Sequence, residues 1–122
     1  MAVHNDLGKW GEERALLYLM EWDYRILEKN WRFSRAEIDL VVEKGEELIF
    51  VEVKTRGSIK YGPPEAFLSY KKRSLLFEAA NVFMEKINHV GELRFDVIAI
   101  VSQPFGSYQL KHYQDAFFPG LK

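Results

Sequence analysis

A chain of 122 residues, 48% hydrophobic and 29% charged, is sized for one domain around a single core and excludes a disordered polypeptide. No apolar run approaches the length of a membrane span, the N-terminus lacks the apolar stretch of a secretory signal, and there is no cysteine; disulfides and thiolate chemistry are excluded, and the expected location is a reducing cytoplasm. The net charge of −1 does not advertise a nucleic-acid binder, but the charges are segregated.

Residues 5–21 read as a helix, with Asn5 or Asp6 as its cap and Glu12 and Glu13 in its early turns, where the helix dipole favours acids. Gly8, Glu12, Ala15, Leu16 and Leu19 fall on one line along this helix, so Glu12 sits among small and apolar residues. A carboxylate on a packed face needs a partner; a bound metal, water or an arginine such as Arg32 would serve. Residues 24–33 then read as a strand, with Trp31 and Phe33 suited either to core packing or to base stacking, and Ser34-Arg35 makes a turn.

Residues 37–54, EIDLVVEKGEELIFVEVK, read as a β-hairpin. Gly45 at the first central position of the turn suits type II′, which needs a positive φ there. In that register Lys44 faces Glu47 and Glu43 faces Leu48; carried outward, Asp39 lies across from Glu52 and Glu37 across from Lys54. Side chains alternate along a strand, which puts Glu37, Asp39, Glu52 and Lys54 on one face and Ile38, Leu40, Val42, Ile49, Val51 and Val53 on the core face. Two carboxylates placed opposite each other repel by roughly 0.2–1 kcal/mol, an arrangement that a cation between them would relieve. Mg²⁺ takes hard oxygen ligands, commonly one or two carboxylates with phosphate oxygens and water, and Lys54 is placed to orient a water there. The same residues are compatible with a plain Glu37–Lys54 ion pair and two solvated acids.

The surrounding charge fits the first reading. Residues 37–52 hold six acids and one base, whereas residues 54–73 hold six bases (Lys54, Arg56, Lys60, Lys71, Lys72, Arg73) and one acid. An acidic metal-binding patch beside a basic phosphate-binding patch is what a metal-dependent nuclease needs. The two glycines and two prolines of residues 55–64 mark a loop leaving the end of the Glu52–Lys54 strand. From Glu65 to about Asn88 the spacing predicts a second helix, and residues 93–101 form an apolar run suited to a strand covered on both faces. Asp96 inside that run calls for Arg94, Arg32 or the site itself as its partner. Pro104-Phe105-Gly106 makes a turn into a last strand over residues 107–113, with loose ends expected at 1–4 and 115–122. The order α-β-β-β-α-β-β predicts an α/β fold, a mixed sheet flanked by helices. His4, His89 and His112 lack metal-ligand spacing.

Gly8-x-x-Gly11-Glu12, Tyr24-x-Ile26-Leu27-x-x-Asn30-x-Arg32, Glu37-Ile38-Asp39-Leu40, Phe50-Val51-Glu52-Val53-Lys54-x-Arg56 and Arg94-Phe95-Asp96-Val97-Ile98 together resemble the YraN family of small bacterial proteins. That family is similar to archaeal Holliday junction resolvases and to restriction-endonuclease-like nucleases of the PD-(D/E)xK type; Ile38 stands where the namesake motif has proline. The resemblance implies a restriction-endonuclease-like fold and an endonuclease that uses Mg²⁺ or Mn²⁺. Asp39, Glu52 and the Val53 carbonyl would hold the metal, Lys54 would be the catalytic lysine, and Glu12 would complete the site. Arg56, Lys60, Lys71, Lys72 and Arg73 are the expected substrate-binding residues, nucleic acid (DNA first) the expected partner, and a homodimer the form suited to symmetric cleavage. The alternative is a non-catalytic module of the same fold that binds nucleic acid or protein.

Overall fold

The computed structural model describes residues 3–57 and 68–117. Its elements run α1 (Val3–Glu21), β1 (Arg25–Phe33), β2 (Ala36–Lys44), β3 (Glu47–Arg56), α2 (Tyr70–Ile87), β4 (Leu93–Ser102) and β5 (Tyr108–Tyr113). This is the predicted α-β-β-β-α-β-β order. The strands form one mixed sheet in the order β1-β2-β3-β4-β5. All neighbours are antiparallel except β3 and β4, which run parallel because α2 crosses over between them.

The hairpin turn is as expected. Gly45 has φ 63 while Glu46 stays out of the left-handed region, and Lys44 pairs with Glu47, Glu43 with Leu48 and Leu40 with Val51. Both faces of the sheet are covered, as a sheet flanked by helices requires; for the β2–β3 hairpin alone the expectation of a single core face is corrected. Leu40, Val42, Ile49 and Val51 pack with Ala15 and Leu19 of α1, whereas Val41, Leu48 and Phe50 pack with Leu76, Ala79, Ala80 and Phe83 of α2. Ile38 belongs to the α2-side cluster, not with Leu40 and Val42, so β2 changes the face it offers near Asp39.

Helix α2 starts later than the periodicity of residues 65–88 suggested. Ser69 is its N-cap and accepts a hydrogen bond from the Lys72 N–H, and Tyr70 at the first helical position is exposed. The predicted start at Glu65 lies outside the described residues. Asn88 in the left-handed conformation closes the helix at its C-cap. At the C-terminal end, residues 115–117 are anchored where a loose segment was expected. The Ala116 N–H donates to the Phe95 carbonyl, and the buried Phe117 ring lies 5.3 Å from that of Phe95. Gly11 sets the approach of α1 to the sheet, since any Cβ there would collide with the Thr55 side chain.

Candidate active site

The site lies where the sheet forks. The β2–β3 ladder ends at Leu40–Val51. Beyond that pair β2 stays bonded to β1 as far as Phe33–Ala36, and β3 stays bonded to β4 as far as Arg56–Val101. Asp39 and Glu52 therefore stand on the two prongs instead of facing across a closed rung. The Asp39 carboxylate fills part of the gap: its Oδ2 accepts the Val53 N–H at 2.7 Å. A backbone donor freed by the fork thus finds its acceptor in a side chain.

A cleft of about 490 Å³ opens on the α2 side of this fork. Asp39, Glu52 and Glu37 lie on its walls, with Arg32, Arg35, Ser69, Lys71 and Lys72 around them. Glu52 is 7% exposed and is held between two amines, Lys54 Nζ and Lys72 Nζ, each 3.5 Å from its Oε2. Among the described residues, no cation pairs with Asp39. Burial first, and then the charge of Glu52 with smaller contributions from Glu12 and Glu37, push its carboxyl up to about 8, against the opposing hydrogen bond from Val53. The predicted acids thus act on one another electrostatically, Glu12 included.

Some expected pairings are different. Glu37 does not meet Lys54; it pairs across the β1–β2 ladder with Arg32, Nε to Oε2 3.6 Å. Glu12 accepts from Asn30 Nδ2 at 3.1 Å, and Arg32 is not its partner. Among the expected substrate-binding residues, Lys71 and Lys72 line the cleft. Arg56 and Arg73 do not line it; the Arg56 guanidinium is exposed and donates to the Thr55 carbonyl. Lys60 lies outside the described residues. Arg32, Arg35 and Ser69 line the cleft without having been singled out as binding residues, although the Arg-Phe-Ser-Arg turn signalled two cations at one hairpin tip. Ser69 also places the N-terminus of an 18-residue helix at the cleft, where free N–H groups favour anions.

Asp96 is not part of this site. It is fully buried on the α1 side and binds Arg94, Nε to Oδ1 2.8 Å, His112, Nε2 to Oδ2 2.7 Å, and the Asp115 N–H at 2.9 Å. Burial alone would raise its carboxyl; the hydrogen bonds from His112, Arg94 and Asp115 outweigh that and hold it below the ordinary range. His112, which looked isolated in sequence, also accepts or donates at Nδ1 with the Tyr18 hydroxyl, 2.9 Å away.

Among the described residues, no three His, Asp or Glu side chains stand close enough to cage a metal by themselves. The donor set suits a different kind of site. Two acids on one cleft, Glu52 buried and Asp39 half-buried and destabilised by its neighbour's charge, fit a small hard cation that fills its remaining positions with substrate oxygens and water.

Comparison with known proteins places the chain. The model of the Uncharacterised protein family UPF0102 matches residues 11–100. A UPF0102 protein of Flavobacterium psychrophilum is 42% identical over 97% of this chain and 98% of its own length. Those of Bacteroides thetaiotaomicron and Rhodococcus opacus are 38% and 40% identical, the first over 99% of both chains, the second over 96% of this chain and 100% of its own. A solved structure of Pyrococcus furiosus SfsA in complex with Ca²⁺ aligns with a TM-score of 0.38 and 15% identity, covering 84% of this chain and 58% of that one, too remote to carry an argument. Near-complete coverage and the family model agree: the chain belongs to the UPF0102 family, the family also called YraN.

Proposed function

We propose that the protein is a metal-dependent nuclease that hydrolyses phosphodiester bonds of nucleic acid, DNA first, and of branched or junction form. The observation that carries the reading is the fork itself. It leaves Asp39 and Glu52 in one cleft with Lys54 beside Glu52 and cations around the mouth. Asp39 and Glu52, with the Val53 carbonyl, would hold Mg²⁺ or Mn²⁺, which when bound supplies Lewis acidity at the scissile phosphate. The Lys54 amine holds the attacking water by hydrogen bonding and offsets the negative charge that grows on the phosphoryl oxygens. Lys71, Arg32 and Arg35, with the N-terminus of α2, hold the backbone on either side of the cut. Glu12 keeps its carboxylate at the α1 edge of the fork through Asn30 and adds to the negative field that draws in a cation.

One observation favours a second reading, a binding module without turnover. Lys54 and Lys72 both sit on Glu52 and already offset part of its charge. Incubation of single-stranded, duplex and branched DNA with Mn²⁺ separates the two. Cleavage is expected with the wild type, with a loss of roughly 10²–10³-fold in Lys54→Ala and in Glu52→Gln. Binding of DNA without cleavage, together with no Mn²⁺ uptake by calorimetry, would select the binding module and end the nuclease reading.

A further inference from the structure

Asn30 interrupts β1 at the level of the site. Of the described non-glycine residues with a positive φ, it alone stands inside a strand, at φ 51; the others lie in turns or at a helix end. Asparagine tolerates this left-handed backbone, which most side chains avoid. A residue in that conformation breaks the alternation of faces that a strand otherwise keeps. On one side of it, Lys29 lines a groove with Leu16 of α1 and Ile26, on the α1 face of the sheet. On the other, Trp31 packs edge-to-face on Phe83 of α2, ring centroids 5.3 Å apart. Residues two apart should share a face; here they do not, so β1 turns over at Asn30.

β2 turns over on the same rung. Lys29 pairs with Leu40 and Trp31 with Ile38, which puts Asn30 level with Asp39. Leu40 belongs to the α1-side cluster and Ile38 to the α2-side cluster. The residue at the centre of each switch is freed from the two ordinary faces. On β2 that residue is Asp39, whose carboxylate accepts the Val53 N–H across the fork. On β1 it is Asn30, whose amide donates to Glu12 Oε1 at 3.1 Å. Gly11, beside Glu12, rests on Thr55 of β3. Consecutive residues of α1 therefore touch β3, one prong of the fork, and β1, which carries the other. The charge of Glu12 is felt at Asp39.

We infer that Asn30 is a positioning residue of the metal site: its left-handed backbone lets β1 follow β2 through the turnover that sends Asp39 into the fork, and its amide fixes the Glu12 carboxylate at that rung. This rests on the nuclease reading and adds a residue to it that acts only through Asp39 and Glu12. A carboxylate held in place before a cation arrives loses less freedom on meeting it, and removing such a holding partner commonly weakens metal binding about tenfold or more.

Calorimetry of Mn²⁺ uptake by the whole protein without nucleic acid, beside thermal melting, tests this. Asn30→Gly accepts the left-handed backbone and removes the amide. It should keep the melting temperature within about 3 °C and weaken Mn²⁺ binding about tenfold. Glu12→Gln should weaken it by a similar factor. Adding Asn30→Gly to Glu12→Gln should then cost at most about twofold more, because the amide has no carboxylate left to hold. Asn30→Ala lacks the amide and also disfavours the backbone, so it should melt lower and bind Mn²⁺ more weakly than Asn30→Gly. Wild-type affinity in Asn30→Gly, losses that multiply in the double variant, or equal affinities of Asn30→Ala and Asn30→Gly overturn the role given to Asn30. The nuclease reading survives any of these so long as the wild type takes up Mn²⁺ and Asp39→Ala does not. No uptake by the wild type removes both.

Discussion

Asp39 and Asp96 are both aspartates in the central strands of one sheet, and their surroundings are opposite. Asp96 has a guanidinium, an imidazole and a backbone N–H on its two oxygens, and its carboxyl is held below the ordinary range. Among the described residues Asp39 has a single backbone N–H, feels the charges of Glu52, Glu12 and Glu37, and its carboxyl is pushed up to about 8. A satisfied buried acid ties elements together. An unsatisfied one, opening on a cleft, is stable in its charged form only when something cationic arrives. The contrast separates a structural acid from the acid proposed to meet a cation, without reference to any relative.

The structural half gives the largest expected effect. Asp96 joins β4 to the Arg94–Glu47 pair, to β5 through His112 and to the start of the C-terminal segment through Asp115. Asp96→Ala leaves the largely buried His112 Nε2 and Arg94 Nε without their acceptor, and should destabilise the protein by roughly 3–5 kcal/mol. Urea unfolding followed by circular dichroism measures it; a midpoint unchanged from wild type would show that the network is dispensable. Because Asp96 titrates below its unfolded value, its stabilisation is present above the ordinary carboxylate range near 3.8 and is lost as pH falls through the folded value. Acid unfolding should therefore set in earlier and more gradually in Asp96→Asn.

The binding half has the reverse sign. With its value raised from 3.8 to about 8, folded Asp39 keeps a proton that the unfolded chain has already released. Its contribution is full below the unfolded value and disappears as pH rises through the folded one. Asp39→Asn, whose amide oxygen can still accept from Val53, should therefore stabilise the cation-free protein, with a gain that grows between about pH 4 and pH 8 to an order of 1–3 kcal/mol. Millimolar Mg²⁺ or Mn²⁺ should invert the ranking, raising the melting temperature of wild type and not of the variant. A gain that is flat with pH, or cations that raise both melting curves alike, would contradict the assignment of Asp39 as the unsatisfied acid.

What could be seen in sequence, and what could not, divides along the same line. The register of β2 on β3 was legible because Gly45 specifies the turn and the period of two carries it outward from there. The fork beyond Leu40–Val51 was not, since it depends on β1 and β4 each keeping hold of one strand. For that reason the Glu37–Lys54 pair predicted from the unbroken register does not form, and Arg32 takes Glu37 instead. Asp96 was visibly odd within an apolar run, but of its partners only Arg94 is near in sequence; His112 and Asp115 reach it through the β4–β5 pairing and the chain that follows. Arg32 and Arg35 join the site only because the β1–β2 turn comes to the side of the α2 N-terminus, a contact that no local pattern encodes.

The smallest expected effect concerns the rim, and it distinguishes two neighbouring lysines. Lys72 reaches into the cleft and sits 3.5 Å from Glu52, so it is part of the acid's charge balance. Lys71 lines the same cleft, is exposed, and makes no ion pair among the described residues. Its amine is available to a phosphate. Lys71→Ala should change stability by no more than about 0.5 kcal/mol, weaken DNA binding equally for all sequences, and reduce the slope of log affinity against log salt by about 1. Lys72→Ala should show a similar change in slope and also alter Mg²⁺ affinity, because Glu52 loses one of its two amines. A salt titration of both variants, with cation binding measured alongside, reads the difference. If both lysines change the salt slope and neither changes cation affinity, Glu52 is not the acid that meets the metal, and Asp39 alone would carry that role.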